Sequence, residues 1–104
     1  MKELVFRTAG KWELVLQEEI QYIESCNKLS KVVTVHREYL LSTPLQVLAD
    51  HLPPDLFIKV HRSFIVSKLH IRGISKGSVL VADKELPISR LGRSELKQKC
   101  RMFV

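Results

Sequence analysis

Phe57 to Ser67 reads FIKVHRSFIVS, an apolar run with His61-Arg62-Ser63 set in its middle. Strand side chains alternate between faces, which puts Ile58, Val60, Phe64 and Val66 on one face together with Arg62. An unbroken strand would aim a guanidinium into its own apolar face, and an unpaired buried charge costs several kcal/mol. Two solutions are open. The chain turns at His-Arg-Ser and frees those side chains, or Arg62 has a buried partner.

The 104 residues are enough for one domain with a single modest core, so residues 1–104 are expected to form one unit with no room for a second domain. Apolar residues make up 45% and charged residues 27%, which is globular composition and argues against disorder. No apolar run approaches the roughly 20 residues of a membrane span. MKELVFRT lacks the pattern of a secretion signal. Cys26 and Cys100 lie far apart with no CxxC spacing, which predicts reduced thiols in a cytoplasmic protein.

Charge is unevenly spread. Residues 1–54 hold six Lys/Arg against seven Asp/Glu, whereas residues 55–104 hold eleven against four. A one-sided positive field points to a polyanionic partner, nucleic acid before anionic lipid, with a merely solvated basic surface as the plain alternative.

Strand-forming runs cover most of the chain. Glu3–Thr8 and Trp12–Leu16 predict a hairpin around Ala9-Gly10-Lys11, Ile20–Glu24 a short strand, and Val32–Leu41 the longest strand. His70–Ser75 predicts a further strand, and Val79–Val81 with Glu85–Ile88 a hairpin around Ala82-Asp83-Lys84. Thr43-Pro44-Leu45-Gln46 has the residue types of a capping box with proline at the first helical position. Leu45, Leu48 and Leu52 follow at helical spacing until Pro53-Pro54 stops them. Ser94–Arg101 is a candidate for a short C-terminal helix, preceded by an irregular Arg90-Leu91-Gly92-Arg93. Eight or nine short strands and little helix predict a mainly β fold.

Catalytic signatures are missing: no GxSxG, Walker loop, GxGxxG, HExxH or Cys-cluster spacing occurs. His36, His51, His61 and His70 are scattered. The expectation is therefore no enzyme, no metal and no cofactor. What remains is three polar, cationic segments between apolar strands: Ser25–Lys31, His61–Ser63 and Ser89–Arg93. Arg, Lys, Ser and Asn are the residues that engage phosphates and base edges, and loops on a rigid scaffold are where binding functions sit.

Ile20-Gln21-Tyr22-Ile23-Glu24-Ser25, Phe57–Val66 and Leu86-Pro87-Ile88-Ser89-Arg90 together resemble the LytTR DNA-binding domain family, in its order and spacing and with the helix in its place. Ser67 stands where that family commonly has Asn, which predicts a weaker or replaced turn cap. The resemblance implies several small β-sheets in an elongated array and loops that enter successive grooves of double-stranded DNA. It further implies direct-repeat promoter sites, bound by a monomer in solution and two copies on DNA, and transcription regulation behind a receiver domain in a response regulator or as a stand-alone regulator.

On this resemblance Lys28, Ser30 and Lys31 fall in the first major-groove loop, with Ser30 and Lys31 nearest the bases. His61 and Arg62 fall in the middle segment, at the minor groove and backbone. Arg90 and Arg93 fall in the last major-groove loop. Lys59, Lys97 and Lys99 are phosphate candidates by charge alone, and Ser63 and Ser89 are expected to cap turns. The competing readings are a β-barrel-type module for single strands or RNA, which would stack bases on exposed aromatics, and a protein-interaction domain. Phe6, Trp12, Tyr22, Tyr39, Phe57, Phe64 and Phe103 mostly occupy strand phases expected to be buried, which disfavours the first. Intramolecular ion pairing of Arg62, Arg90 and Arg93 would favour the second.

Overall fold

The computed structural model describes residues 3–8 and 10–100; Ala9, Arg101 and Phe103, named above, lie outside the described residues. Ten strands carry the fold: β1 Glu3–Thr8, β2 Lys11–Leu16, β3 Ile20–Cys26, β4 Leu29–Thr34, β5 Glu38–Leu41, β6 Phe57–His61, β7 Phe64–Ser67, β8 Ile71–Ile74, β9 Ser78–Val81 and β10 Lys84–Pro87. Helix α1 spans Leu45–His51 and α2 spans Arg90–Lys99. The strands form three antiparallel sheets: the β1–β2 hairpin, a central sheet ordered β5-β4-β3-β7-β6, and a small sheet ordered β10-β9-β8. The domain is elongated, 47 × 30 × 24 Å along its principal axes. No helix among the described residues is long and apolar enough to cross a membrane.

The central sheet is covered on both sides, which explains why apolar residues occupy both faces of β6 and β7 beside His61-Arg62-Ser63. Ile23, Val32, Phe57 and Ile65 pack with α1 residues Leu45 and Leu48, with Leu52 just after the helix, and with Phe6 and Val15 of the hairpin. Tyr22, Val33, Ile58, Val60 and Val66 pack the other way, against Val79, Val81 and Leu86 of the small sheet and Leu96 of α2. Ile58, Val60, Ile65 and Val66 are all but fully buried, each worth about 1.5–3 kcal/mol by removal from water. Arg62 takes the first of the two solutions: β6 ends at His61, β7 begins at Phe64, and Arg62 is exposed on the turn between them.

Several expected boundaries move, each for a local reason. Val32–Leu41 is two strands and not one, because Thr34 builds a turn. Its hydroxyl donates to the Arg37 carbonyl at 2.7 Å and accepts from the backbone N–H of His36 at 3.2 Å and Arg37 at 3.0 Å. The polar stretch after β3 shrinks to a two-residue turn, Asn27-Lys28, closed by the Cys26–Leu29 pair. Asn27 takes the left-handed conformation, φ 59°, which asparagine tolerates better than most residues.

Thr43 does not cap α1: the boundary residue is Pro44 and no side chain caps the helix. Thr43 instead offers its carbonyl to the Ser30 hydroxyl at 2.6 Å, tying the helix approach to β4. Leu52 follows the last helical residue, and Pro53 stops further winding as expected. Ser67 does cap its turn, accepting the Leu69 N–H at 3.3 Å. Trp12, expected to be buried, is 67% exposed on the outer face of the hairpin, with the Arg7 guanidinium 5.8 Å from its ring. Arg90–Arg93, expected to be irregular, is the first turn of α2.

Candidate nucleic-acid interface

The β6–β7 turn is held by its own residues. His61 Nδ1 accepts the Ser63 N–H at 3.1 Å, so in the neutral ring the proton sits on Nε2. The imidazole lies tilted against Phe64, 5.9 Å between ring centres. A register irregularity between Lys59 and His61 re-aims the strand end, as bulges do beside functional surfaces. The Ser63 carbonyl accepts the Ser25 N–H at 2.8 Å. That bond places the Asn27-Lys28 turn and the Arg62-Ser63 turn at the same end of the central sheet.

Helix α2 is seated along the open edge of β6. Ser89 donates its N–H to the Val60 carbonyl at 2.8 Å, and its hydroxyl lies 3.2 Å from the same oxygen. That hydroxyl also accepts the Gly92 N–H at 3.0 Å, making Ser89 the N-cap of α2. Gly92 lies against β6 so closely that a Cβ there would fall 1.9 Å from the Val60 carbonyl oxygen. Gly92 and Leu96 form the buried side of the helix. Arg90, Arg93 and Lys97 follow at i, i+3 and i+7, a basic stripe along one face. Ser89→Ala is expected to lower stability by about 1 kcal/mol, the usual cost of a lost cap. Urea unfolding checks this, and an unchanged midpoint would mean the cap contributes nothing.

Lys59, His61, Arg62, Ser89, Arg90 and Leu91 line a cleft of about 430 Å³ between the β6–β7 turn and the first turn of α2. Arg93 lines a smaller adjoining cleft with Ser89 and Arg90. Among the described residues, Lys28, Arg62, Arg90, Arg93 and Lys97 have no ion-pair partner. Lys28, Arg62, Arg90 and Arg93, from three separate segments of the chain, are brought to the turn end of the central sheet and the first turn of α2, while Lys97 lies in the last turn of that helix.

The other expected site residues stand differently. Ser30 is fully buried and its hydroxyl is spent on Thr43, so it supports the β3–β4 hairpin from inside. Lys31 is paired across the strands with Glu24 at 3.5 Å, and that carboxylate holds its ammonium pKa above the ordinary lysine value. Lys59 donates to the Gln46 side chain at the cleft rim. Lys99 is tied to Glu95 at 3.2 Å, one helical turn away. Two residues of the last segment carry roles that the sequence reading did not give them: Gly92, whose close approach to Val60 seats the helix, and Leu91, which is 78% exposed in the cleft. The pattern Ser89-x-x-Gly92 carried the only available signal, a cap residue ahead of a helix start. Among the described residues no group of three His, Cys, Asp or Glu could hold a metal.

Comparison with known proteins gives a consistent result. The family model of the LytTr DNA-binding domain matches residues 10–101. The sensory transduction protein LytT of Bacillus anthracis is 32% identical over 95 residues, which cover 86% of this chain and 39% of that protein. The CO-responsive transcriptional regulator RcoM of Rhodospirillum rubrum is 35% identical over 74 residues, 68% of this chain and 31% of that protein. The chain thus spans well under half the length of these relatives. A solved LytTr DNA-binding domain from Bacillus cereus superposes with a TM-score of 0.80 at 24% identity, covering 98% of this chain and 99% of that one.

Proposed function

The chain belongs to the LytTR family of DNA-binding domains, and from that premise we propose that it binds double-stranded DNA sequence-specifically through the end of the central sheet and the first turn of α2. The carrying observation is the cleft that joins Arg62 of the β6–β7 turn to Arg90 of α2 with, among the described residues, no carboxylate partner for either. An ion-paired arginine would have to break its pair to bind a phosphate or base; these need not.

Arg90 and Arg93 face base edges, Arg62 and the His61 Nε2–H face the backbone or a neighbouring groove, and Lys28 extends the footprint from the adjoining turn. Fork-shaped guanidinium groups match guanine O6 and N7, and cationic groups along the edge displace counterions from phosphates. The domain acts as the output module of a transcription regulator in the cytoplasm, on its own or behind a receiver domain. It is a monomer in solution, and two copies occupy a direct-repeat site. Base stacking on aromatics is disfavoured: Phe64, the aromatic beside the cleft, is half-buried and packed against the core.

Fluorescence-anisotropy titration of selected duplex, random duplex and single strands, across a salt series, tests this. Far tighter binding to a selected direct repeat than to random duplex supports it. Equal, salt-steep binding to every duplex would reduce the basic half to a non-specific clamp, and preference for single strands would overturn it. Lys97→Ala is expected to weaken all duplexes alike and lower the salt slope by about one unit, as loss of one phosphate contact does. An unchanged slope would take Lys97 out of the interface.

A further inference from the structure

Among the described residues Leu91 is the most exposed large apolar side chain, at 78%. Exposed leucines are ordinary taken singly; the surroundings of this one are not. It lines the same cleft as Lys59, His61, Arg62 and Arg90, immediately follows Arg90, and stands in the first turn of α2. Helical side chains tilt back toward the N-terminus, and Leu91 also borders the groove beside Glu95 and Lys99, so the isobutyl group stands at the corner where the helix end meets that flank. The contact of Gly92 with the Val60 backbone and the burial of Leu96 fix the rotation of the helix. Leu91 therefore cannot roll inward to bury itself.

Base edges offer one apolar group, the 5-methyl of thymine, and they offer it only in the major groove. A helix with side chains is about 10–12 Å across. Its end fits the major groove, about 12 Å wide, but not the minor groove, about 6 Å wide. Consecutive Cα atoms are about 3.8 Å apart, close to the spacing of roughly 3.4 Å between successive bases of one strand. We propose that Leu91 is a specificity-determining residue that packs on the 5-methyl group of a thymine within one or two base pairs of the pair read by Arg90. The proposal rests on the DNA-binding function proposed above, and adds to its cationic contacts an apolar one that discriminates thymine.

The test uses uracil, which differs from thymine only by that methyl. A preferred duplex is selected from a random pool with the unmodified protein, and each thymine is then replaced singly by uracil. At one or two positions the unmodified protein is expected to bind about fourfold more weakly, the value of one buried methyl group. Leu91→Ala is expected to bind the thymine and uracil forms of those positions equally, and Leu91→Met to restore the preference. Uracil substitutions without effect at every position, or an equal loss for Leu91→Ala on both forms, would overturn the proposal while leaving DNA binding intact. Failure of the selection to return any preferred sequence would instead remove the sequence-specific binding proposed above, and with it the role of Leu91.

Discussion

Gly92→Ala is expected to lower stability by roughly 2 kcal/mol, although helix propensity taken alone predicts a gain of about 1 kcal/mol from the same change. The new Cβ would sit 1.9, 2.4 and 2.7 Å from the carbonyl oxygen, carbonyl carbon and Cα of Val60. All three are backbone atoms, so no rotamer change relieves the overlap. The helix must lift from β6, weakening the Ser89 N–H to Val60 bond of 2.8 Å and uncovering Leu96, which is fully buried. The bond is worth about 0.5–1.5 kcal/mol and the leucine about 1.5–3 kcal/mol, which together exceed the propensity gain. Urea unfolding with unchanged slope reads the difference directly. A midpoint at or above that of the unmodified protein would mean that α2 is not seated on β6 as described. Because α2 carries Arg90 and Arg93, the folded fraction of this variant should also bind DNA more weakly.

Arg62→Ala and Arg90→Ala should show the opposite pattern, large losses in binding with little change in stability. Both side chains are exposed and lack ion-pair partners among the described residues, so each substitution should move stability by no more than about 0.5 kcal/mol. Each should cost about 1–3 kcal/mol on the preferred duplex, five- to more than a hundredfold in Kd. For Arg90→Ala the loss should concentrate at one base pair, with relaxed preference there. An equal loss on every sequence would make Arg90 a phosphate clamp instead. The two residues line one cleft, so the double variant should depart from simple additivity, as neighbouring sites do.

Much of this was visible in the chain itself. FIKVHRSFIVS already demanded a turn or a buried partner at Arg62, and the run Val79–Ile88 showed its hairpin as two strand-forming stretches around Ala82-Asp83-Lys84. The misplaced features are those whose cause lies elsewhere in the chain. Val35-His36-Arg37 contains no glycine or proline, and its turn depends on the hydroxyl of Thr34. Ser30 looks like a surface residue of a polar loop until its partner, Thr43, 13 positions away, is known. Gly92 resembles a helix breaker in one dimension. Only its contact with Val60, on a strand in the middle of the chain, makes it the residue that lets the helix start where it does. The three cationic segments were visible; their convergence at one end of the sheet was not, because it depends on the bond from Ser25 to Ser63 and the seating of Ser89 on Val60.

The central claim is that this end of the domain, and no other face, meets DNA. Amide chemical-shift mapping of the isotope-labelled protein, titrated with its selected duplex, tests that most directly. The predicted result is a set of perturbations at Lys28, His61, Arg62, Ser63, Arg90, Leu91 and Arg93, with the β1–β2 hairpin unaffected. Perturbations centred on Trp12 and Leu14 of that hairpin, with the Arg62 and Arg90 amides unmoved, would contradict it.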